Sequence, residues 1–311
     1  MTGVQTCALP IFRGIEEEEK LEADALAALE KLGRFRVTAA AASAEAAGLG
    51  LNSGPEAPVC GGPRPPEADG AGGGRLSLMS AWLLKRMGPE EEARIGRALA
   101  VRLLIAMPAV DDVALQRYVN RVGRWLVAAQ GASWPQADWL FAVLDSEAIQ
   151  AYSTPGGHVF ITRGLYRLLR DEAELAAVLA RELARLGDKG LLKDLRRNAA
   201  GSGRPRDEAA FLRQLLGNGL EALQRPRAAE DEFQADRDAV PLAARAGYDP
   251  YALAAFLQSL GGLAMDDPRL APLAGVLPGA DSRLARLSAS LEECLAGLPA
   301  GKAPTLHRMT D

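Results

Sequence analysis

The tightest constraint on what this chain can become lies between residues 139 and 162. Two short runs there, Trp139-Leu140-Phe141-Ala142-Val143-Leu144 and His158-Val159-Phe160-Ile161-Thr162, are apolar, β-branched and aromatic, and Thr154-Pro155-Gly156-Gly157 between them is a turn signal. Runs of that kind make strands, two or three of them. The surrounding pattern is helical. Asp111 to Gln130 places Leu115, Tyr118, Val119, Val122, Trp125 and Leu126 on one side, and Asp171 to Leu186 is helical again. After a polar break at Asn198 to Arg206, further helices are expected around Phe211 to Leu223 and Ala228 to Ala246. Few strands among many helices predict an α+β domain, mostly helical, with a small β-sheet on one side.

The rest of the chain divides around that unit. Thr2 to Ile11 reads as a translated sequencing adapter, so residues 1–11 are set apart and the natural sequence is expected to enter at about Phe12. Residues 12–86 are expected to hold an acidic helix and then a linker. Glu16-Glu17-Glu18-Glu19 precedes Leu26, Leu29 and Leu32 at helical spacing, which predicts a solvated helix. From Arg36 to Arg75 an Ala/Gly/Pro-rich tract carries too little large apolar surface to order itself. Compact patterning begins at Pro89-Glu90-Glu91-Glu92, an acidic first helical turn, so the main domain is assigned to 87–298 and a tail to 299–311.

Charge and cysteine content exclude several classes. A net charge of -4 leaves no basic footprint for nucleic acid. The longest apolar stretches, such as Leu103 to Val110, fall well short of the roughly 20 residues that cross a bilayer. With Cys7 in the adapter segment, only Cys60 and Cys294 remain, too few for a disulfide framework or a cysteine zinc site.

Three segments carry the functional argument. The first runs from Tyr118-Val119-Asn120-Arg121-Val122-Gly123 through Phe141-Ala142-Val143-Leu144-Asp145 to Ala151-Tyr152-Ser153-Thr154-Pro155-Gly156-Gly157-His158 and on to Gly164. The second is Asp171 to Arg185, and the third is Glu232-Phe233-Gln234-Ala235-Asp236 followed by Ala246-Gly247-Tyr248-Asp249-Pro250. In this order and spacing they resemble the gluzincin peptidases of family M48, the group of HtpX-like heat-shock proteases and periplasmic β-barrel assembly-enhancing proteases. The resemblance covers about Pro89 to Leu291 and implies a zincin-like peptidase fold. It also implies the chemistry of an H-E-x-x-H helix: two imidazoles at i and i+4 reach one zinc ion, a distant glutamate completes the site, and the intervening glutamate is the general base for a bound water.

Carried over residue by residue, the resemblance places the ligand positions at Arg181, Arg185 and Glu232, the base position at Glu182 and an orienting carboxylate at Asp236. Pro155, Gly156, Gly157, His158 and Arg283 are the implied cleft residues. Two ligand positions are therefore arginine, and a guanidinium has no lone pair for a metal. A further family histidine, before a proline upstream of the arginine, corresponds to Leu277 in Val276-Leu277-Pro278. His158 and His307 are the only histidines in the chain, so no shifted two-histidine site can be assembled. His158 is expected as a strand-end residue. The zinc of the family is accordingly not expected here, and no other cofactor is.

Taken alone, the 171–186 helix predicts something blander: Arg181 and Arg185 lie opposite the Leu175, Leu179, Leu183 and Leu186 stripe, as on a solvated charged face. With the family, Arg181 and Arg185 are expected to pair with Glu232, with Asp236 next in reach. Pro241 falls inside the third segment's helix, where a kink or about 3 kcal/mol is expected. The resulting expectation is a metallopeptidase-like, non-catalytic scaffold, periplasmic or secreted by resemblance. Its partner would be an extended peptide paired at the edge of the 158–162 strand, or an envelope protein. The alternative is an active zinc-dependent metalloendopeptidase.

Overall fold

The β-branched and aromatic runs do form strands, and their alternation decides how the molecule is layered. In the computed structural model, residues 10–35, 89–130, 139–187, 223, 229–263, 267–273 and 278–295 are described. Among them β1 (Leu140–Leu144), β2 (Ala151–Thr154) and β3 (His158–Thr162) make one sheet in the order β1-β3-β2. β1 runs parallel to β3, with Leu140 opposite His158, and β2 runs antiparallel to it, with Thr154 opposite His158. Side chains alternate across a strand. Phe141, Val143, Val159 and Ile161 therefore enter one apolar cluster, while Leu140, Ala142, Leu144 and Phe160 enter a second on the opposite face.

Helices cover both faces. Against the first pack α3 (Val113–Ala129) and α5 (Glu172–Gly187), with α6 (Ala229–Arg245), α7 (Ala252–Gly261) and α8 (Ala280–Leu295) beyond. Against the second lie α1 (Pro10–Gly33) and α2 (Pro89–Ala106). A short α4 (Arg163–Leu168) leads from β3 toward α5, and a 3-10 segment (Pro268–Leu273) precedes α8. A mostly helical α+β fold with a small mixed sheet is thus the observed architecture.

The β2–β3 hairpin turns at Gly156 and Gly157, with φ of 81° and 98°, a region that disfavours side chains. Close approach matters more at Gly123 of α3, where an added Cβ would lie 2.2 Å from the Phe141 ring, so the missing side chain lets α3 rest directly on β1. That contact also finishes the sheet. The Gln116 side chain accepts from Val143 N–H at 2.9 Å and donates to Val143 O at 2.9 Å, and Asn120 Oδ1 accepts from Phe141 N–H at 3.1 Å. The 108–110 backbone bridges the end of β1, Val110 N–H donating to Val143 O at 3.0 Å and Asp145 N–H to Pro108 O at 2.7 Å. Two side-chain amides at i and i+4 and this short bridge together cover the β1 edge.

Two sequence expectations need correction. α1 is not solvated all round: Ala25, Leu29 and Leu32 are buried in the second cluster, although Leu21 and Leu26 stay exposed. Its end is fastened by Asn120 Nδ2, which donates to Phe35 O at 2.6 Å, and by the Arg117 guanidinium 5.7 Å from the Phe35 ring centroid. The apolar face of α1 is narrow, but the outer face of the sheet is waiting for it. Nor does β3 offer an edge to a peptide, because it is the central strand, paired on both sides. β2 is the edge, and its Tyr152, Ser153 and Thr154 are buried.

Helix α6 runs on through Pro241, which is buried within it. Its carboxyl end closes in a Schellman arrangement: Tyr248 N–H donates to Ala243 O at 3.1 Å, Gly247 N–H to Ala244 O at 2.9 Å, and Gly247 has φ 85°. Trp125 Nε1 and Gln130 Nε2 of the α3 segment donate to Ala246 O and Leu242 O, so α3 holds that end in place. The helix expected around Phe211 to Leu223, apart from Leu223 itself, the linker tract, Cys60, Leu277 and His307 lie outside the described residues.

Candidate functional site

Helix α5 begins with a reciprocal cap. Asp171 Oδ1 accepts from Glu174 N–H at 2.9 Å, while the Glu174 carboxylate accepts from Arg170 N–H at 2.8 Å. Its first turn is pinned from two sides, because Tyr118 of α3 and Tyr248 after α6 each donate a hydroxyl to Glu172 at 3.0 Å. Burial and the Glu172 carboxylate push the Tyr248 phenol up, so it remains a donor. From Glu174 to Ala184 every residue of α5 is then buried. The solvated charged face expected for this helix alone does not exist: α6 packs along it, with α8 behind α6.

Into that dry seam the chain projects three arginines and three carboxylates. Arg181, Glu182 and Arg185 come from α5, Glu232 and Asp236 from α6, and Arg283 from α8. The i, i+4 spacing puts Arg181 and Arg185 on one face toward α6, and Glu232 and Asp236 answer on one face of α6. Arg181 is only 5% exposed, and Glu182, Glu232, Asp236 and Arg283 are also buried.

Arg181 is the centre. Its Nε donates to Asp236 Oδ1 at 2.7 Å, its Nη1 to Glu182 Oε1 at 3.0 Å, and its Nη2 to Glu232 Oε2. Arg283 clasps the same Asp236 through two bonds, Nε to Oδ2 at 2.8 Å and Nη2 to Oδ1 at 2.7 Å. Arg185 sits further out. It donates to both Glu182 oxygens at 3.1 and 3.3 Å, and its Nη2 stands 3.7 Å from Glu232 Oε1, beyond hydrogen-bond length. The Arg185 Nε is buried without a hydrogen-bond partner. Ser153 of β2 completes the shell by donating its hydroxyl to Glu182 Oε2 at 2.9 Å.

Electrostatics follow from this packing. Burial opposes the charge on Arg181, but Glu232, Asp236 and Glu182 outweigh it and raise its pKa above the ordinary guanidinium value. Burial alone would push Glu182 up, yet Arg185 and Arg181, with the Ser153 hydroxyl, hold its carboxyl below the usual range. Burial likewise opposes ionisation of Asp236, and Arg181 and Arg283 overcome it. Three fixed positive charges thus face three carboxylates, a formally neutral set. Glu182 is ionised, weakly basic and already hydrogen-bonded on both oxygens, which is poor equipment for taking a proton from water.

Of the other residues singled out in the sequence, Arg283 joins this group, while Pro155, Gly156, Gly157 and His158 do not. Pro155, Gly156 and Gly157 turn against α2, where an added Cβ on Gly156 would meet Ala93 Cα at 2.7 Å. His158 is buried at the start of β3, with Nδ1 3.3 Å from Thr154 Oγ1, on the hairpin rather than in the seam. Ser153 and Glu172 carry no sequence signal of their own. Only the register of β2 against α5, and the meeting of two helix ends, bring them into play.

Comparison with known proteins agrees with the segment order. The model of the family described as Peptidase family M48 matches residues 114–291. The beta-barrel assembly-enhancing protease of Escherichia coli O157:H7 is 26% identical over 211 residues, 63% of this chain and 42% of that protein. The putative beta-barrel assembly-enhancing protease of Vibrio cholerae is 26% identical over 191 residues, 55% of this chain and 38% of that protein. The match to the Yersinia pestis beta-barrel assembly-enhancing protease is 26% over 196 residues, with the same two coverages. The chain spans less than half the length of these curated relatives.

Proposed function

This chain belongs to peptidase family M48, and from that premise we propose that it is a non-catalytic member, with an ion-pair network where a zinc peptidase would hold its metal. On this reading Arg181 and Arg185 occupy the two histidine positions of the H-E-x-x-H helix, Glu232 the third ligand position and Glu182 the position of the base. One observation carries the proposal: the Arg181 guanidinium is hydrogen-bonded to Glu182, Glu232 and Asp236 together.

A zinc ion does not fit these residues. Arginine offers a metal no lone pair and brings a positive charge to the place where a dication would sit. The remaining carboxylate ligand is already engaged by Arg181. A general base poised near neutral pH is also missing, since Arg185 and Arg181 hold Glu182 down.

For the role of such a domain, the names of the relatives point to β-barrel assembly. We take this chain to act in the same setting, in the envelope, by binding an envelope protein rather than cutting it. No helix among the described residues is long and apolar enough to cross a membrane. The relatives are also named as proteases, which favours the competing reading of an active zinc metalloendopeptidase. Casein cleavage by the purified chain in zinc-supplemented buffer separates the two. The proposal expects no cleavage above that of Glu182→Gln; turnover in the unsubstituted chain that Glu182→Gln abolishes would establish the peptidase instead.

A further inference from the structure

The two arginines of α5 are not equivalent, and the difference has a chemical meaning. Arg181 uses three separate nitrogens on three separate carboxylates, two of them on α6, and one of those, Asp236, is in turn held by Arg283 of α8. Arg185 bonds only within its own helix, to Glu182 at i-3, and reaches α6 only at 3.7 Å. Arg181 therefore links three helices, whereas Arg185 adds charge at the rim, where its side chain is 14% exposed.

We infer that the Arg181 guanidinium is a built-in substitute for a metal ion, a fixed cation that cross-links α5 to α6 and, through Asp236 and Arg283, to α8. The inference rests on the reading of the site given above and deepens it: the position did not merely lose a metal but exchanged one cation for another. A planar guanidinium directs its N–H groups outward in one plane, so carboxylates arriving from different helices can be met at once. Lysine could not do this, because its ammonium is a compact point charge without that fork. With three guanidiniums against three carboxylates, the set is neutral while Arg181 is present. Without it, three carboxylates face two guanidiniums around a space that matches a small planar cation.

Melting temperatures of the full chain test this, comparing Arg181→Ala, Arg181→Lys and Arg185→Ala with and without millimolar guanidinium chloride, against sodium chloride at equal ionic strength. Arg181→Ala is expected to lose on the order of 10 °C. Arg185→Ala should lose a small fraction of that. Guanidinium, and not sodium, should raise the melting temperature of Arg181→Ala while leaving the unsubstituted chain and Arg185→Ala unraised. If Arg181→Ala cannot be recovered folded, Arg181→Lys takes its place in the ranking and is expected to fall further than Arg185→Ala. The inference is overturned if Arg185→Ala costs as much as the Arg181 variant, if Arg181→Lys melts with the unsubstituted chain, or if guanidinium brings no variant-specific gain. Casein cleavage by the unsubstituted chain would sink the non-catalytic reading by a different observation and leave this ranking to be decided on its own.

Discussion

At the scale of single residues, the site is a balance centred on Arg181, whose three carboxylate partners each matter more than Arg185 at the rim. Removing one partner of a buried ion pair strands the other charge in a dry seam, which typically costs roughly 3–5 kcal/mol. Glu232→Ala leaves Arg181 short of one of its three carboxylates, so a loss of stability of that order is expected, read by calorimetry as a lower melting temperature; an unchanged transition would contradict the pairing. Acid should act on the same residues. Asp236 and Glu182 have carboxyls held below their ordinary values of 3.8 and 4.5, so each contributes stability that is full above those values and is lost as pH falls through the lowered folded ones. A melting temperature that is level near neutrality and drops below about pH 4.5 is expected, with a shallower drop in Asp236→Asn. The residues themselves were legible in the sequence through the order of the three segments. Their burial was not: a helical wheel places Arg181 opposite the leucine stripe, and only the return of α6, with α8 behind it, more than forty residues later in the chain, turns that outer side into an interior.

At the scale of elements, short-range signals did well and partners in space did poorly. The strands β1 and β3, the helices α3, α5 and α6 and the turn at 154–157 follow from apolar runs, spacing and glycine, which act within a few residues. Which strand is central, and what lies over α1, depend on pairings between distant segments. The hairpin is easily read as a two-strand unit with an open edge at β3, until β1 adds in parallel on that side and closes it. Asn120 makes the same point for α1. Its side chain binds Phe35 O and Phe141 N–H at once, joining an N-terminal helix to the sheet through one amide. Asn120→Ala leaves both backbone groups without that partner, a loss of about 1–3 kcal/mol for each buried group left unsatisfied. Hydrogen exchange should then accelerate in α1 and at Phe141 while α6 stays protected; equal protection in both proteins would show that α1 is held by its apolar face alone.

At the scale of the whole molecule, the proposed reading makes the fold a peptidase-family scaffold in which arginine, rather than a metal, bridges α5 and α6. The sheet is buried on both faces, α3 closes the β1 edge, and the seam between α5, α6 and α8 is bridged by arginine. That is the central claim, and elemental analysis of zinc in the purified full chain tests it most directly, run beside the Arg181→His/Arg185→His double variant. The double variant restores two imidazoles at i and i+4 next to Glu232, a donor set that suits zinc. The account predicts no stoichiometric zinc in the unsubstituted chain and close to one zinc per chain in the double variant. Stoichiometric zinc in the unsubstituted chain would contradict it.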